Sequence, residues 1–177
     1  MNSPEMARSP EVVPQEIERK FLVDFYGSAQ AHIEAGGINI ESTPIIQGYL
    51  AIDDEDSSEV RIRNKAGKYT LTTKLGSGLI RGEAEVSLTA EQFDSLWPLT
   101  NGKVVEKVRH HIPHGERIIE LDVYTGPLDG LVVAEIEFIS EDEANDYEQP
   151  AWFGLEVTED PKYKNQALAR RNQTLSF

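Results

Sequence analysis

The chain has no cysteine. That excludes a disulfide framework, a thiolate nucleophile and every cysteine-based zinc site. Basic residues are scarce beside acidic ones, 17 Lys and Arg against 31 Asp and Glu, and the formal net charge is −14. Nucleic acid and anionic membranes both call for a broad basic patch, so neither fits as the main partner. A small anionic ligand held in a local basic pocket stays compatible with this charge. No apolar run approaches the roughly 20 residues of a membrane helix. The first 14 residues carry three prolines but have neither the basic start nor the apolar core of a signal peptide. The expectation is a soluble protein, with a reducing cytoplasm as its compartment. Residues 1–14 read as a flexible tail, and 15–177 as a single domain with a substantial core.

What the sequence has is charge in an ordered arrangement. Six couples of like sign stand two residues apart in strand-like runs: Glu16/Glu18, Arg61/Arg63, Glu83/Glu85, Lys107/Arg109, Glu120/Asp122 and Glu135/Glu137. Lys20 extends the first couple. Side chains at i and i+2 of a strand leave the same face about 6.6–7 Å apart, so each couple sets two like charges side by side. The plainer reading is a half-solvated antiparallel sheet, which also alternates apolar with polar. Solvated faces usually mix their signs, however, whereas here the signs are segregated strand by strand. Such repulsion is tolerated when a divalent cation lies among the acids and a phosphate chain among the bases.

Alternation and turn residues predict strands over 16–23, 45–52, 59–64, 69–75, 80–88, 103–112, 117–124 and 131–139. A hairpin turn is expected at Ala66-Gly67, another at Pro113-His114-Gly115, and breaks at Gly36-Gly37 and Gly76 to Gly78. Short helices are predicted over 29–34, 90–97, 141–147 and 163–171, the second opened by a Thr89-x-x-Gln92 capping box and stopped at Pro98. The fold class is therefore mainly β (α+β), an eight-stranded antiparallel closed β-barrel covered by a few short helices, since closure removes sheet edges. Parity allows charges in the lumen, with the helices at 90–97 and 163–171 covering apolar outer faces, or charges in solvent. His110, His111 and His114 are expected as solvent-exposed turn histidines rather than zinc ligands, and Trp97 and Trp152 as covering or core aromatics.

Glu16-Ile17-Glu18-Arg19-Lys20 matches the ExExK signature of the CYTH family, the triphosphate tunnel metalloenzymes. Further matches follow in order: Gln47-Gly48-Tyr49-Leu50, Arg61-Ile62-Arg63, Thr72-Thr73-Lys74, Glu83-Ala84-Glu85, Lys107-Val108-Arg109, Glu120-Leu121-Asp122 and Ala134-Glu135-Ile136-Glu137. Gly154 to Thr158 and Tyr163-Lys164-Asn165 are similar to the family's carboxyl-terminal pattern. One such motif is weak, but the ordered series resembles this family over nearly the whole chain.

The resemblance implies a tunnel with inward-facing charges. It implies that Lys20, Arg61, Arg63, Lys74, Lys107 and Arg109 bind a triphosphate, and that Glu16, Glu18, Glu135 and Glu137, with Glu83, Glu85, Glu120 and Asp122 as further acids, hold Mg²⁺ or Mn²⁺. It also implies Lys20 and Tyr49 as the pair that activates water. A free lysine titrates near about 10.4, so Lys20 would have to be lowered substantially to serve near neutrality. Arg61, Arg63 and Lys107 push that way, while Glu16 and Glu18 oppose it unless metal neutralises them. The motifs look most like the bacterial inorganic-triphosphatase branch, a hydrolase of tripolyphosphate. Thiamine triphosphatase, nucleoside triphosphatase, class IV adenylyl cyclase and a non-catalytic polyphosphate-binding module are the alternatives.

Overall fold

The computed structural model describes residues 14–23, 26–35, 40–55, 57–76 and 79–175. The expected tail, apart from Pro14, and the Gly36-Gly37 break lie outside the described residues. Eight strands form: β1 Gln15–Leu22, β2 Glu41–Asp53, β3 Ser58–Lys65, β4 Lys68–Leu75, β5 Ile80–Leu88, β6 Val104–His114, β7 Arg117–Tyr124 and β8 Val132–Glu137. They close into an antiparallel barrel in the order β1-β5-β4-β3-β2-β6-β7-β8, with β8 bonded back to β1. Among the described residues the α-helices are α1 Tyr26–Ala35, α2 Ala90–Leu96, α3 Glu141–Asp146 and α4 Asn165–Leu175.

Turn chemistry sets the register of the central hairpin. Ala66 (φ 48°) and Gly67 (φ 85°) both take left-handed conformations between β3 and β4, the geometry that matches strand twist in a two-residue turn. The Asn64 side-chain oxygen accepts the Gly67 N–H at 2.8 Å. The capping box forms as expected, Thr89 and Gln92 exchanging side-chain and backbone bonds at the start of α2.

Two strands run longer than their prolines imply. β2 begins at Glu41 rather than residue 45 because the Pro44 carbonyl accepts from Ala66, so its missing N–H faces the β3–β4 turn and breaks no bond to β6. β6 continues through Pro113 to His114 because the β2 pairing already ends at His111. The three histidines therefore sit on β6, and each is half-buried. The His110 Nδ1 lies 2.7 Å from Ser42 Oγ, and the His114 ring meets Tyr147 edge-on. The helix before Pro98 passes into a 3-10 turn, Trp97–Thr100, in which proline is tolerated near the start.

The inward faces carry the charge and the outer faces much of the core. Phe21, Ile119, Leu121, Ala134 and Ile136 point outward from β1, β7 and β8 and are buried beneath Ala29 of α1, Ala144 of α3 and Phe153. On the opposite side Phe93 of α2 packs on Tyr69 and stacks with Trp97. The 163–171 helix behaves differently from its expected role as outer cover. Leu168 and Ala169 of α4 cluster with Tyr49, Val105, Tyr124 and Val133, which share the inward parity of Gln47, Lys107, Asp122 and Glu135. α4 thus closes one end of the barrel and leaves the charged lumen on the far side of those residues.

Candidate active site

The lumen is a cavity of about 260 Å³. Alternation along seven strands puts Glu16, Glu18 and Lys20 of β1, Arg61 and Arg63 of β3, Lys74 of β4, Glu83 and Glu85 of β5, Lys107 and Arg109 of β6, Glu120 of β7, and Glu135 and Glu137 of β8 on its wall. Asp122 is fully buried one step deeper, under Lys107 and Arg109. Tyr49 also lies at the inner end, against the α4 cluster. The expected phosphate and metal residues thus line one cavity, apart from Asp122, which with Tyr49 is buried behind its wall, and the inward model is the one realised.

The opposite charges engage one another closely. The Arg109 guanidinium forks onto Asp122, with Nε and Nη2 each 2.6 Å from its oxygens, and reaches Glu135 at 2.6 Å. Its other nitrogen bonds Glu120, and Lys107 bonds Asp122. Lys20 Nζ lies 2.7 Å from Glu135 and 3.0 Å from Glu18. Lys74 joins Glu16 and, at 2.8 Å, Glu83. Arg63 meets Glu85 at 2.9 Å, and the Thr72 hydroxyl donates to the same carboxylate at 2.8 Å. Arg61 is the exception. It is 7% exposed, its Nε is buried without a hydrogen-bond partner, and among the described residues no carboxylate lies within ion-pair distance of it.

These contacts set the protonation states. Burial alone would lower the Lys20 ammonium, yet Glu135 and Glu18 outweigh it and hold it well above the usual lysine range. Burial would raise Glu135, but Lys20, Arg109 and Lys107 hold it well below the usual carboxylate range. Glu137 moves the other way, raised by burial and by the neighbouring Glu120, Glu16 and Glu18. Lys107 is lowered by burial, which its bond to Asp122 does not offset fully. Burial also raises the Tyr49 phenol, with Glu59 adding to the effect and Arg61 and Lys20 opposing it.

Gln47, Glu59, Lys65, Arg81, Thr158, Lys164 and Asn165 line the same cavity without having been picked out as site residues. Strand parity held a signal for three of them. Glu59 and Lys65 continue the inward row of Arg61 and Arg63, and Arg81 precedes Glu83 by two. A search for couples of like sign passes over Glu59 and Arg81 because each precedes a residue of opposite charge, and over Lys65 because the expected strand stops at residue 64, one short of the observed end of β3. Glu59 and Arg81 meet at 3.4 Å. Thr158, Lys164 and Asn165 enter from the carboxyl-terminal segment, where no periodicity marks an inward face. Thr158 is placed by the Lys20 N–H, which donates to its hydroxyl at 3.0 Å, and Asn165 by the Tyr124 hydroxyl at 2.5 Å.

Comparison with known proteins places this geometry. Residues 14–171 match the model of the CYTH domain. The chain belongs to the CYTH family. Among its CYTH relatives, an inorganic triphosphatase of Nitrosomonas europaea is 44% identical over 156 residues, covering 87% of this chain and 96% of that protein. An inorganic triphosphatase of Acetivibrio thermocellus is 34% identical over 157 residues, covering 88% and 94%. A crystal structure of an inorganic triphosphatase superimposes with a TM-score of 0.62 at 41% identity, covering 87% of this chain and 93% of its own. The chain thus spans nearly the full length of these relatives, and its fold superimposes on that of one of them.

Proposed function

We propose that this CYTH protein hydrolyses inorganic tripolyphosphate to pyrophosphate and phosphate within the lumen. The observation that carries this reading is the unpaired Arg61. Burial would lower this guanidinium, but Tyr49, Glu59, Glu83 and Glu16 balance its charge without a direct carboxylate bond among the described residues, which leaves its donors available to a polyanion. Around it Lys20, Arg63, Lys74, Lys107 and Arg109 already sit on the wall, and Lys65, Arg81 and Lys164 extend the basic surface. Arginine forks and lysine point charges together suit successive phosphates.

The donor set suits Mg²⁺ or Mn²⁺, because the lumen acids offer hard oxygen ligands alone. Among the described residues no three carboxylates or imidazoles converge as a ready-made cage. An ion shared with phosphate oxygens and water needs only one or two carboxylates. Glu137, crowded by Glu120, Glu16 and Glu18, is where positive charge would relieve most repulsion. Glu16, Glu18, Glu135 and Glu137 would hold the ion, with Glu83, Glu85, Glu120 and Asp122 around them. Bound there, it would supply positive charge opposite the phosphate oxygens and a lowered pKa for a water molecule.

The chain's own part of the reaction is positioning and proton transfer. The basic wall aligns the triphosphate so that a water oxygen bonds to a terminal phosphorus while the bridging P–O bond breaks and its electron pair leaves with pyrophosphate. Lys20, within electrostatic reach of Tyr49, takes the proton from that water. In the present arrangement Lys20 is an ammonium held by Glu135 and Glu18. It serves as a base only once those carboxylates have turned to other cations, so base function and cation binding are linked.

Phosphate release from tripolyphosphate, measured with Mg²⁺ or Mn²⁺ and beside ATP and thiamine triphosphate, tests the reading. Turnover is expected on tripolyphosphate foremost. Preference for either organic substrate would reassign the specificity, and binding of all three without turnover would make the protein a polyphosphate-binding module.

A further inference from the structure

We infer that Gln47 is a positioning residue that turns the Tyr49 hydroxyl toward the tunnel. The inference rests on the tripolyphosphate reading for its kinetic consequence. The two side chains lie two residues apart on the inward face of β2 and are 1% and 0% exposed. Gln47 Nε2 donates to the Tyr49 hydroxyl oxygen at 2.9 Å. Below them β2 is pinned by the Tyr49 N–H, which donates to Lys103 at 3.0 Å. Just beyond Tyr49 a register shift opens the strand, since Tyr49 pairs with Arg61 but Ala51 with Val60.

A carboxamide NH₂ donates and does not accept. With its oxygen receiving that bond, the phenol must direct its own hydrogen away from Gln47. On the α4 side Tyr49 meets Val105, Val133, Leu168 and Ala169, which offer hydrocarbon, and Tyr124, whose hydroxyl gives its own hydrogen to Asn165 at 2.5 Å. Arg61, its partner across the ladder, only donates. The hydroxyl hydrogen meets no bonded protein acceptor among the described residues, which leaves it to a water molecule or a phosphate oxygen on the lumen side. Without Gln47 the hydroxyl would keep only the Arg61 guanidinium to orient it, and a carboxylate at position 47 would capture its hydrogen.

Two measurements decide the matter. In steady-state hydrolysis of tripolyphosphate, Gln47→Met and Gln47→Glu should each lower kcat by about tenfold with little change in KM, the pattern of a lost transition-state interaction. On a Tyr49→Phe background Gln47→Met should cost nothing further. A full, additive loss in the double variant would overturn the inference, because Gln47 would then not act through Tyr49. The second measurement needs no turnover. With tyrosine carrying ¹³C at the ring carbon that bears the hydroxyl, the Tyr49 resonance is identified by its absence from Tyr49→Phe. It should move in Gln47→Met, with the thermal midpoint checked to show that the variant is folded. An unmoved resonance would refute the contact. If wild-type protein released no phosphate, the reaction assigned above would fall, while the spectrum would still decide whether Gln47 holds the hydroxyl.

Discussion

Arg61 and Arg109 look alike in the sequence, each the partner of a second cation two residues away, but the structure gives only Arg109 direct carboxylate partners among the described residues. Arg109 binds Asp122, Glu120 and Glu135, so its removal strands buried carboxylates. Arg61 has no such partner among the described residues, so its removal strands none. Arg61→Gln should therefore lower the thermal midpoint much less than loss of Arg109 does, while weakening tripolyphosphate binding by roughly 10–100-fold, the worth of a charge-assisted hydrogen bond. Arg109→Gln should destabilise the fold by about 3–5 kcal/mol, as breaking a buried pair does. Calorimetric titration and thermal melts of both variants check this; lost stability with unchanged binding in Arg61→Gln would make Arg61 structural. The residue types and their inward row were legible in the sequence because strand parity is rigid. Partner choice was legible only in part: the fork of Arg109 on Asp122 lies within the β6–β7 hairpin, whereas the bonds of Lys20 and Arg109 to Glu135 join β1 and β6 to β8, strands brought together only when the barrel closes.

At the scale of elements, Gln47-Gly48-Tyr49 shows how three neighbouring residues can serve different ends. Gln47 and Tyr49 face the lumen, whereas Gly48 faces out beneath the 3-10 turn that follows α2. A Cβ at Gly48 would come within 2.4 Å of Thr100 Cγ2 and 3.2 Å of the Trp97 ring. Gly48→Ala should thus destabilise the fold by about 1–3 kcal/mol through overpacking, with the lumen charges left in place. Denaturant unfolding would report it, and a loss under ~0.5 kcal/mol would mean that the turn shifts at little cost. Strand existence, the β3–β4 turn and the capping box were readable because each follows from local chemistry. The task of α4 was not. An amphipathic stripe shows which side of a helix seeks burial but not which surface it meets, and Leu168 and Ala169 find the barrel end rather than its outer wall.

At the scale of the molecule, a net charge of −14 coexists with a lumen in which cations match carboxylates, because nine of the 17 Lys and Arg line it beside eight of the 31 acids. That concentration gives stability a pH dependence with two opposed limbs. The Glu135 carboxyl is held well below its ordinary value because Lys20, Arg109 and Lys107 outweigh its burial. The stability it contributes is complete above the unfolded value of about 4.3 and is lost as pH falls through the depressed folded value. Glu137 is displaced upward by burial and by Glu120, Glu16 and Glu18, so its protonation favours the fold. That contribution is complete below about 4.3 and is lost as pH rises through the elevated folded value. Melting of the metal-free protein should therefore peak in mildly acidic buffer, falling on the neutral side through Glu137 and on the acid side through Glu135. Glu137→Gln should flatten the neutral limb and raise stability at pH 7. Glu135→Gln should lower stability at pH 7, since Lys20 and Arg109 lose a partner, and should flatten the acid limb. Thermal midpoints from pH 3 to 8 for the three proteins check both signs. A neutral limb unchanged in Glu137→Gln would mean that the acids around it do not repel one another in the folded barrel, and the case for a cation among them would fall with it.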